Sequence, residues 1–244
     1  MGKGTLKSTR RLVFDLLTIG LCFLMFTTFG WASFHIPSSS MEPTLEVGDR
    51  LFVAKYAYGY NRYSVPFEPA FVPEDRLFAD APKRGDVVVF KPPHKSHIIK
   101  RVIGLPGDTV QVTRGRLFIN GTIVPRTYVR DVNYTDYQGM DRRAREYVED
   151  LPGGVTHRIY ERTDHGSLDN TGLYKVPEGH YFMMGDNRDG SGDSRILSDI
   201  GYVSEHYLVG RAQVTTFSLY DCDQGKDVSC PMGIPTGRFF NVIE

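Results

Sequence analysis

The chain carries no surplus of charge of either sign: 29 Lys and Arg balance 29 Asp and Glu over 244 residues. It therefore has no global field with which to steer nucleic acid or an acidic polymer, which argues against a general nucleic-acid binder. Cysteine is scarce. Three residues build no disulfide framework, and none stands in a C-x-x-C pair or at zinc-ligand spacing from a histidine, so no structural zinc site is expected. Cys22 lies in an apolar run, whereas Cys222 and Cys230 stand close together in a polar stretch. That pair fits either a short disulfide loop, which needs an oxidising compartment, or two free thiols. Glycine and proline, 25 and 14 residues, stay well below the disordered or collagen-like range. No internal repeat appears, and beyond residue 34 no second run of eighteen apolar residues occurs.

One such run does exist. Residues 12–34, LVFDLLTIGLCFLMFTTFGWASF, hold a single charge at Asp15. As a helix they reach about 34 Å, enough for about 30 Å of bilayer hydrocarbon. Lys3, Lys7, Arg10 and Arg11 precede the run, while the residues just after it carry Glu42, Glu46 and Asp49. The positive-inside rule then puts residues 1–11 in the cytoplasm and the remainder outside. The rival is a cleavable secretory signal; an uncleaved anchor is expected instead, because Gly30-Trp31-Ala32 makes a poor cleavage site.

Past the anchor, short alternating runs bounded by Gly, Pro or Asp read as strands: 50–56, 86–91, 97–103, 109–112, 115–124, 180–184 and 208–218. Asn120-Gly121 is the strongest local hairpin signal. The expected fold is mainly β, an antiparallel barrel-like core formed by residues 35–125 and 177–244. Residues 126–176, rich in charge and tyrosine, read as an inserted cap with one helical segment at 141–150, and 57–83 as a Pro- and aromatic-rich excursion.

Three stretches carry candidate chemistry. Just outside the anchor, Ser38, Ser39 and Ser40 stand between Pro37 and the Met41-Glu42-Pro43 segment, which holds the backbone extended and then turned. Lys100 lies in the strand HIIKRVI, sharing a face with Ile98 and Val102. A lysine so flanked is poorly solvated, which lowers its pKa and lets the neutral amine act as a general base toward a serine hydroxyl. The plainer reading of that strand is a lysine whose ammonium snorkels to water. The third stretch, GDNRDGSGDSR (185–195), is dense in turn formers, hydroxyls and paired charges. Its acidic spacing lacks the terminal bidentate Glu of an EF-hand loop, so no metal is assigned to it.

Together, PSSSMEPTL (37–45), GDRLFVAKYAYG (48–59), RGDVVVF (84–90), IKRVIGLPGD (99–108) and GDNRDGSGDSR (185–195), in this order behind an anchor, resemble bacterial type I signal peptidases, the membrane-anchored Ser/Lys proteases that remove signal peptides from exported proteins. The resemblance implies Ser40 as nucleophile and Lys100 as base. It implies an oxyanion hole of the Ser40 N–H and the Ser38 hydroxyl, Ser191 hydrogen-bonded to the lysine amine, and Asp193 with Arg195 bracing the loop. It further implies substrates with small residues one and three positions before the cleaved bond, held by shallow walls from Ile36, Pro37, Ile98 and Ile99 beside a strand edge. No cofactor is implied. The expected location is a bacterial inner membrane, with membrane lipid around the anchor and the catalytic domain outside. The chain departs from the commoner Ser-Gly-Ser-Met form at Ser39, which a negative φ there would accommodate.

Three rivals remain. Seven histidines admit a Ser-His-Asp hydrolase, although no triad motif and no G-x-S-x-G elbow is present. The self-cleaving repressors of the DNA-damage response share the Ser/Lys pair but have no membrane span. A catalytically inactive β module could instead bind exported chains.

Overall fold

A computed structural model describes residues 3–65, 68–73, 75–136, 138–218 and 236–243; Cys222 and Cys230 lie outside them. Helix α1 (Lys3–Met25) continues as a π-helical turn over Phe26–Gly30. The stretch Thr9–Gly30, 22 residues of mean hydropathy 2.1 whose apolar 18-residue window has no buried residue, is long and apolar enough to cross a membrane. Thr18 and Thr27 turn their hydroxyls back onto the Phe14 and Phe23 carbonyls, so neither is an unsatisfied polar group in an apolar surround. The helical part stops earlier than composition alone suggests. Trp31–His35 form strand β1, which pairs antiparallel with β2 (Asp49–Ala54), so the end of the apolar run belongs to the sheet.

The remaining strands are β3 (Val87–Phe90), β4 (Ile98–Gly104), β5 (Thr109–Thr113), β6 (Arg116–Ile119), β7 (Thr122–Ile123), β8 (Arg126–Thr135), β9 (Asp141–Leu151), β10 (Val155–Glu161), β11 (Tyr174–Lys175), β12 (His180–Met184), β13 (Val203–Ser204), β14 (Leu208–Ser218) and β15 (Asn241–Val242). The main sheet runs β1-β2-β14-β3-β4-β12-β13, with β15 added to β14, as a curled antiparallel sheet. The expected mainly-β core is therefore the one that forms. Val87 and Val89 pack with Ile36, Met41, Leu45, Leu51 and Val53 on one face, while Val88, Phe90 and Val102 pack with Tyr181, Met183 and Leu208 on the other. Both faces of the central strands are covered, which is why VVVF reads as a continuous apolar run and not as an alternation.

A second sheet, β11-β5-β6-β7, contains the expected tight hairpin: Asn120 and Gly121 both have positive φ, 53° and 76°, as a type I′ turn requires. Because Tyr174–Lys175 pair with β5, the end of the 126–176 stretch belongs to this sheet.

The helix expected at 141–150 does not form. Asp141–Leu151 is strand β9, paired on both sides in the sheet β10-β9-β8. The charges that suggested a helical face are cross-strand partners instead: Glu146 on β9 binds Arg130 of β8 and Arg158 of β10. Neighbouring strands supply hydrogen bonds and packing that outweigh local helix propensity.

Candidate active site

Three local structures converge on one point. After β1 the chain runs extended through Ser38 (φ −138°, ψ 153°) and then winds into a 3-10 turn over Ser39–Met41. Met41 and Leu45 are fully buried in the apolar cluster that holds Ile36, so they pin the turn and present the Ser40 hydroxyl beside them. Ser39 sits inside this turn, outside the positive-φ residues, so a serine there is unstrained.

Lys100 is on β4, opposite Val88 of β3. Its face neighbours Ile98 and Val102, and Val88 itself, belong to one apolar cluster, as the alternation predicts. The amine is buried, and Nζ lies 2.6 Å from Ser40 Oγ, a contact closing 60 positions of sequence. Burial lowers the Lys100 pKa from 10.5 to about 8; the Asp193 and Asp186 charges oppose that shift and Arg195 adds to it. Ser38 Oγ stands 3.3 Å from Ser40 Oγ, so the two hydroxyls share the pocket.

The loop after β12 closes the site from behind. Asp193 binds Arg195 at 2.8 Å and also accepts from the Gly185 N–H at 3.1 Å, while Arg195 donates to the Arg188 carbonyl, 2.5 Å away. Burial works against the Asp193 carboxylate, but the Arg195 guanidinium outweighs it and holds its pKa below the ordinary value. A Cβ on Gly185 would fall on the Ser191 side chain and 2.5 Å from the Ser40 carbonyl, so only glycine fits between them. Ser191 thus lies next to the Ser40 backbone, but its hydroxyl donates to the Gly192 carbonyl at 3.4 Å and not to the Lys100 amine. The turn that carries Ser191 aims its side chain at Gly185, a direction that the linear spacing did not reveal.

A family profile described as "Signal peptidase, peptidase S26" matches residues 9–217. The chain belongs to this family. It is 40% identical over 206 residues to Signal peptidase I of Rickettsia bellii (strain OSU 85-389), covering 79% of this chain and 69% of that protein. It is also 40% identical over 195 residues to Signal peptidase I of Rickettsia typhi, covering 76% and 71%. A crystal structure of a signal peptidase I from Enterococcus faecalis aligns at 27% identity over 54% of this chain and 97% of that one, with a TM-score of 0.32.

In this S26 peptidase the four expected wall residues do not form one surface. Ile36 is wholly covered and Ile99 packs against the same cluster; Ile98 belongs to the opposite cluster, and Pro37 is exposed. Asn187, by contrast, escaped the sequence reading although it is completely buried: its Nδ2 donates to the Ser39 carbonyl at 3.0 Å and its N–H to the Ser40 carbonyl at 3.2 Å. Arg101 and Asp186 form a second pair it missed. Arg101 is fully buried, with Nε and Nη2 each 2.8 Å from an Asp186 oxygen, and Asp186 also accepts from the Thr44 hydroxyl at 2.5 Å. Burial opposes the Asp186 charge, and Arg101 overcomes it, so this carboxylate also stays below its ordinary pKa. One signal was available: an arginine in IIKRVIG, a strand whose only other polar side chain is Lys100, calls for a buried acid.

The β8-β9-β10 sheet docks on this same loop. Tyr160 N–H donates to the Asp186 carbonyl at 2.9 Å, Tyr134 donates its hydroxyl to Asn187 Oδ1 at 3.3 Å, and Glu149 of β9 binds Arg188. The membrane end is tied down as well. Lys55 Nζ donates to the Thr27 carbonyl at 2.9 Å, Tyr60 donates to the Phe29 carbonyl at 2.6 Å, and Trp31 packs edge-on to Tyr56 at 5.4 Å.

Proposed function

We propose that Ser40 is the nucleophile and Lys100 the general base with which this peptidase removes signal peptides from exported proteins. One observation carries the assignment: a buried amine of lowered pKa, 2.6 Å from a serine Oγ. In its neutral form the lysine accepts the Ser40 proton as Oγ attacks the scissile carbonyl carbon. The tetrahedral intermediate that results puts negative charge on the former carbonyl oxygen. The Ser40 N–H and the Ser38 hydroxyl donate to that oxygen, and loss of one such donor typically costs about 3 to 4 kcal/mol in the transition state. The lysinium then protonates the leaving amine, the ester forms on Ser40, and water repeats the cycle in reverse with Lys100 again as base.

The substrates are signal peptides of exported proteins, with small residues at the first and third positions before the cut. The protein is membrane-anchored. We place its N-terminal residues in the cytoplasm and Ser40 on the outer side, supported by the basic residues before the helix and the acidic ones after it. Anchoring enzyme and substrate in one bilayer raises their effective concentration. The test is cleavage of a precursor ending Ala-x-Ala by the full chain in detergent, with Ser40→Ala and Lys100→Met as controls. Activity that persists in either control, or that is lost with a histidine substitution while Lys100→Met still works, would overturn the assignment.

A further inference from the structure

The loop that backs Ser40 has a second face, turned away from the lysine. There Asp189 meets Glu161 at the end of β10 and Asp169 of the following loop, and one carboxylate oxygen from each lies within 4.8 Å of the others. Glu161 and Asp169 are 3% and 1% exposed. Glu161 Oε1 and Asp169 Oδ1 have no hydrogen-bond partner among the described residues, although burial makes an unsatisfied oxygen costly.

The partners these carboxylates do have leave charge uncompensated. Glu161 binds Arg126 at 3.1 Å, but Arg126 also holds Asp164. Among the described residues, the Asp169 carboxylate accepts only the Gly166 N–H, and the Asp189 carboxylate only the N–H groups of Arg162 and Thr163. Of the neighbouring guanidinium groups, Arg188 is engaged by Glu149 and Arg195 by Asp193, while Arg162 donates to the Asp189 backbone carbonyl. Among the described residues, neither Asp169 nor Asp189 thus has an ion-pair partner of its own. We infer that Glu161, Asp169 and Asp189 bind one divalent cation of the calcium class. Hard carboxylate oxygens suit calcium, which takes several carboxylates in a flexible shell, whereas magnesium keeps several waters and is usually held by one or two carboxylates.

The cation links three segments distant in sequence. One is the loop whose Asn187 holds the Ser39 and Ser40 carbonyls; the others are β10 and the turn at Gly166–Asp169, where a Cβ on Gly166 would lie 2.7 Å from Asp189 Oδ1. Its consequence for catalysis rests on the reading of Ser40 given above, whereas the binding itself does not. A proton is the competing way to relieve the repulsion: burial, with Asp189 and Asp169 adding to it against Arg188 and Arg126, raises the Glu161 pKa to about 8.

The experiment uses the full chain in detergent, stripped with EDTA, dialysed, and titrated with CaCl2 or MgCl2 while thermal unfolding is followed by circular dichroism. One calcium per chain by elemental analysis is expected, with a rise in Tm of about 5 to 10 °C at a hundredfold excess over the dissociation constant. Asp169→Asn should lose that rise. The proposal is overturned by an absence of bound calcium with an unmoved Tm, by an undiminished rise in both Asp169→Asn and Glu161→Gln, or by stabilisation from magnesium alone. A calcium-independent gain in Tm on Glu161→Gln, without any calcium response in the parent protein, identifies the shared proton and overturns it too. Should either variant fail to fold, stoichiometry and Tm response in the parent protein decide the matter.

Discussion

Asn187 holds the Ser39–Met41 turn: its side chain and backbone N–H bind the carbonyls of Ser39 and Ser40, 148 and 147 positions away, at 3.0 and 3.2 Å. Replacing Asn187 with Ala removes one of the two donors to the Ser39 carbonyl, leaving the Glu42 N–H as the other, at a cost of about 0.5 to 1.5 kcal/mol. We expect Asn187→Ala to lower kcat more than it changes KM, because the residue positions Oγ without touching substrate. Steady-state kinetics on a precursor peptide check this; an unchanged kcat with an unchanged denaturation midpoint would remove Asn187 from the machinery.

The Lys100 pKa sets the pH dependence. In the proposed mechanism the working form is the neutral amine, and with a pKa of about 8 it is half populated at that pH. Activity should therefore rise with pH to a plateau above about 9 and fall about tenfold per unit well below 8, so that pH 6 supports about a hundredth of the plateau rate. A profile of kcat/KM against pH reads this directly, and a flat line from 5 to 9 contradicts a lysine base.

Lys100→Arg should abolish cleavage, since a guanidinium stays protonated throughout this range and accepts no proton. The buried charge that remains also destabilises the site. Near-normal turnover, measured on protein whose circular dichroism matches the parent, would refute the neutral-amine mechanism.

Arg101→Met strands the Asp186 carboxylate in the interior and is expected to cost about 3 to 5 kcal/mol. Adding Asp186→Leu should recover part of that loss, because an apolar pair no longer buries a lone charge. Urea denaturation of the two variants compares them; equal midpoints for the single and double substitutions would mean that the pair contributes nothing through its charge.

Ser39→Gly restores the commoner motif residue. Because Ser39 already has negative φ, no strain is relieved, and activity should stay within about twofold while stability falls by about 0.5 to 1 kcal/mol from added chain freedom. A large gain in stability would show that serine is strained there after all.

What could be read from the linear chain was local. An apolar run announces a span through its length; Asn120-Gly121 dictates a positive-φ turn; VVVF and the alternating strands follow from side-chain period; and Lys100 between β-branched residues is desolvated by its immediate neighbours. The resemblance carried by five ordered motifs added the pairing of Ser40 with Lys100. The 141–150 stretch misled for the opposite reason: its charges fit a helix until β8 and β10 supply partners from both sides.

The arrangement around the site depends on contacts that no window of sequence contains. Folding sets Lys100 Nζ against Ser40 Oγ, buries Arg101 on Asp186, slides Asn187 under the Ser39 and Ser40 carbonyls, turns Ser191 toward Gly185, and gathers Glu161, Asp169 and Asp189 at one point. Each depends on strand order and on how loops pack across the sheet. A residue's own neighbours settle its backbone shape and its exposure along a strand, but the partner that neutralises its charge or receives its hydrogen bond comes from elsewhere in the chain, where only the assembled sheets bring it within reach.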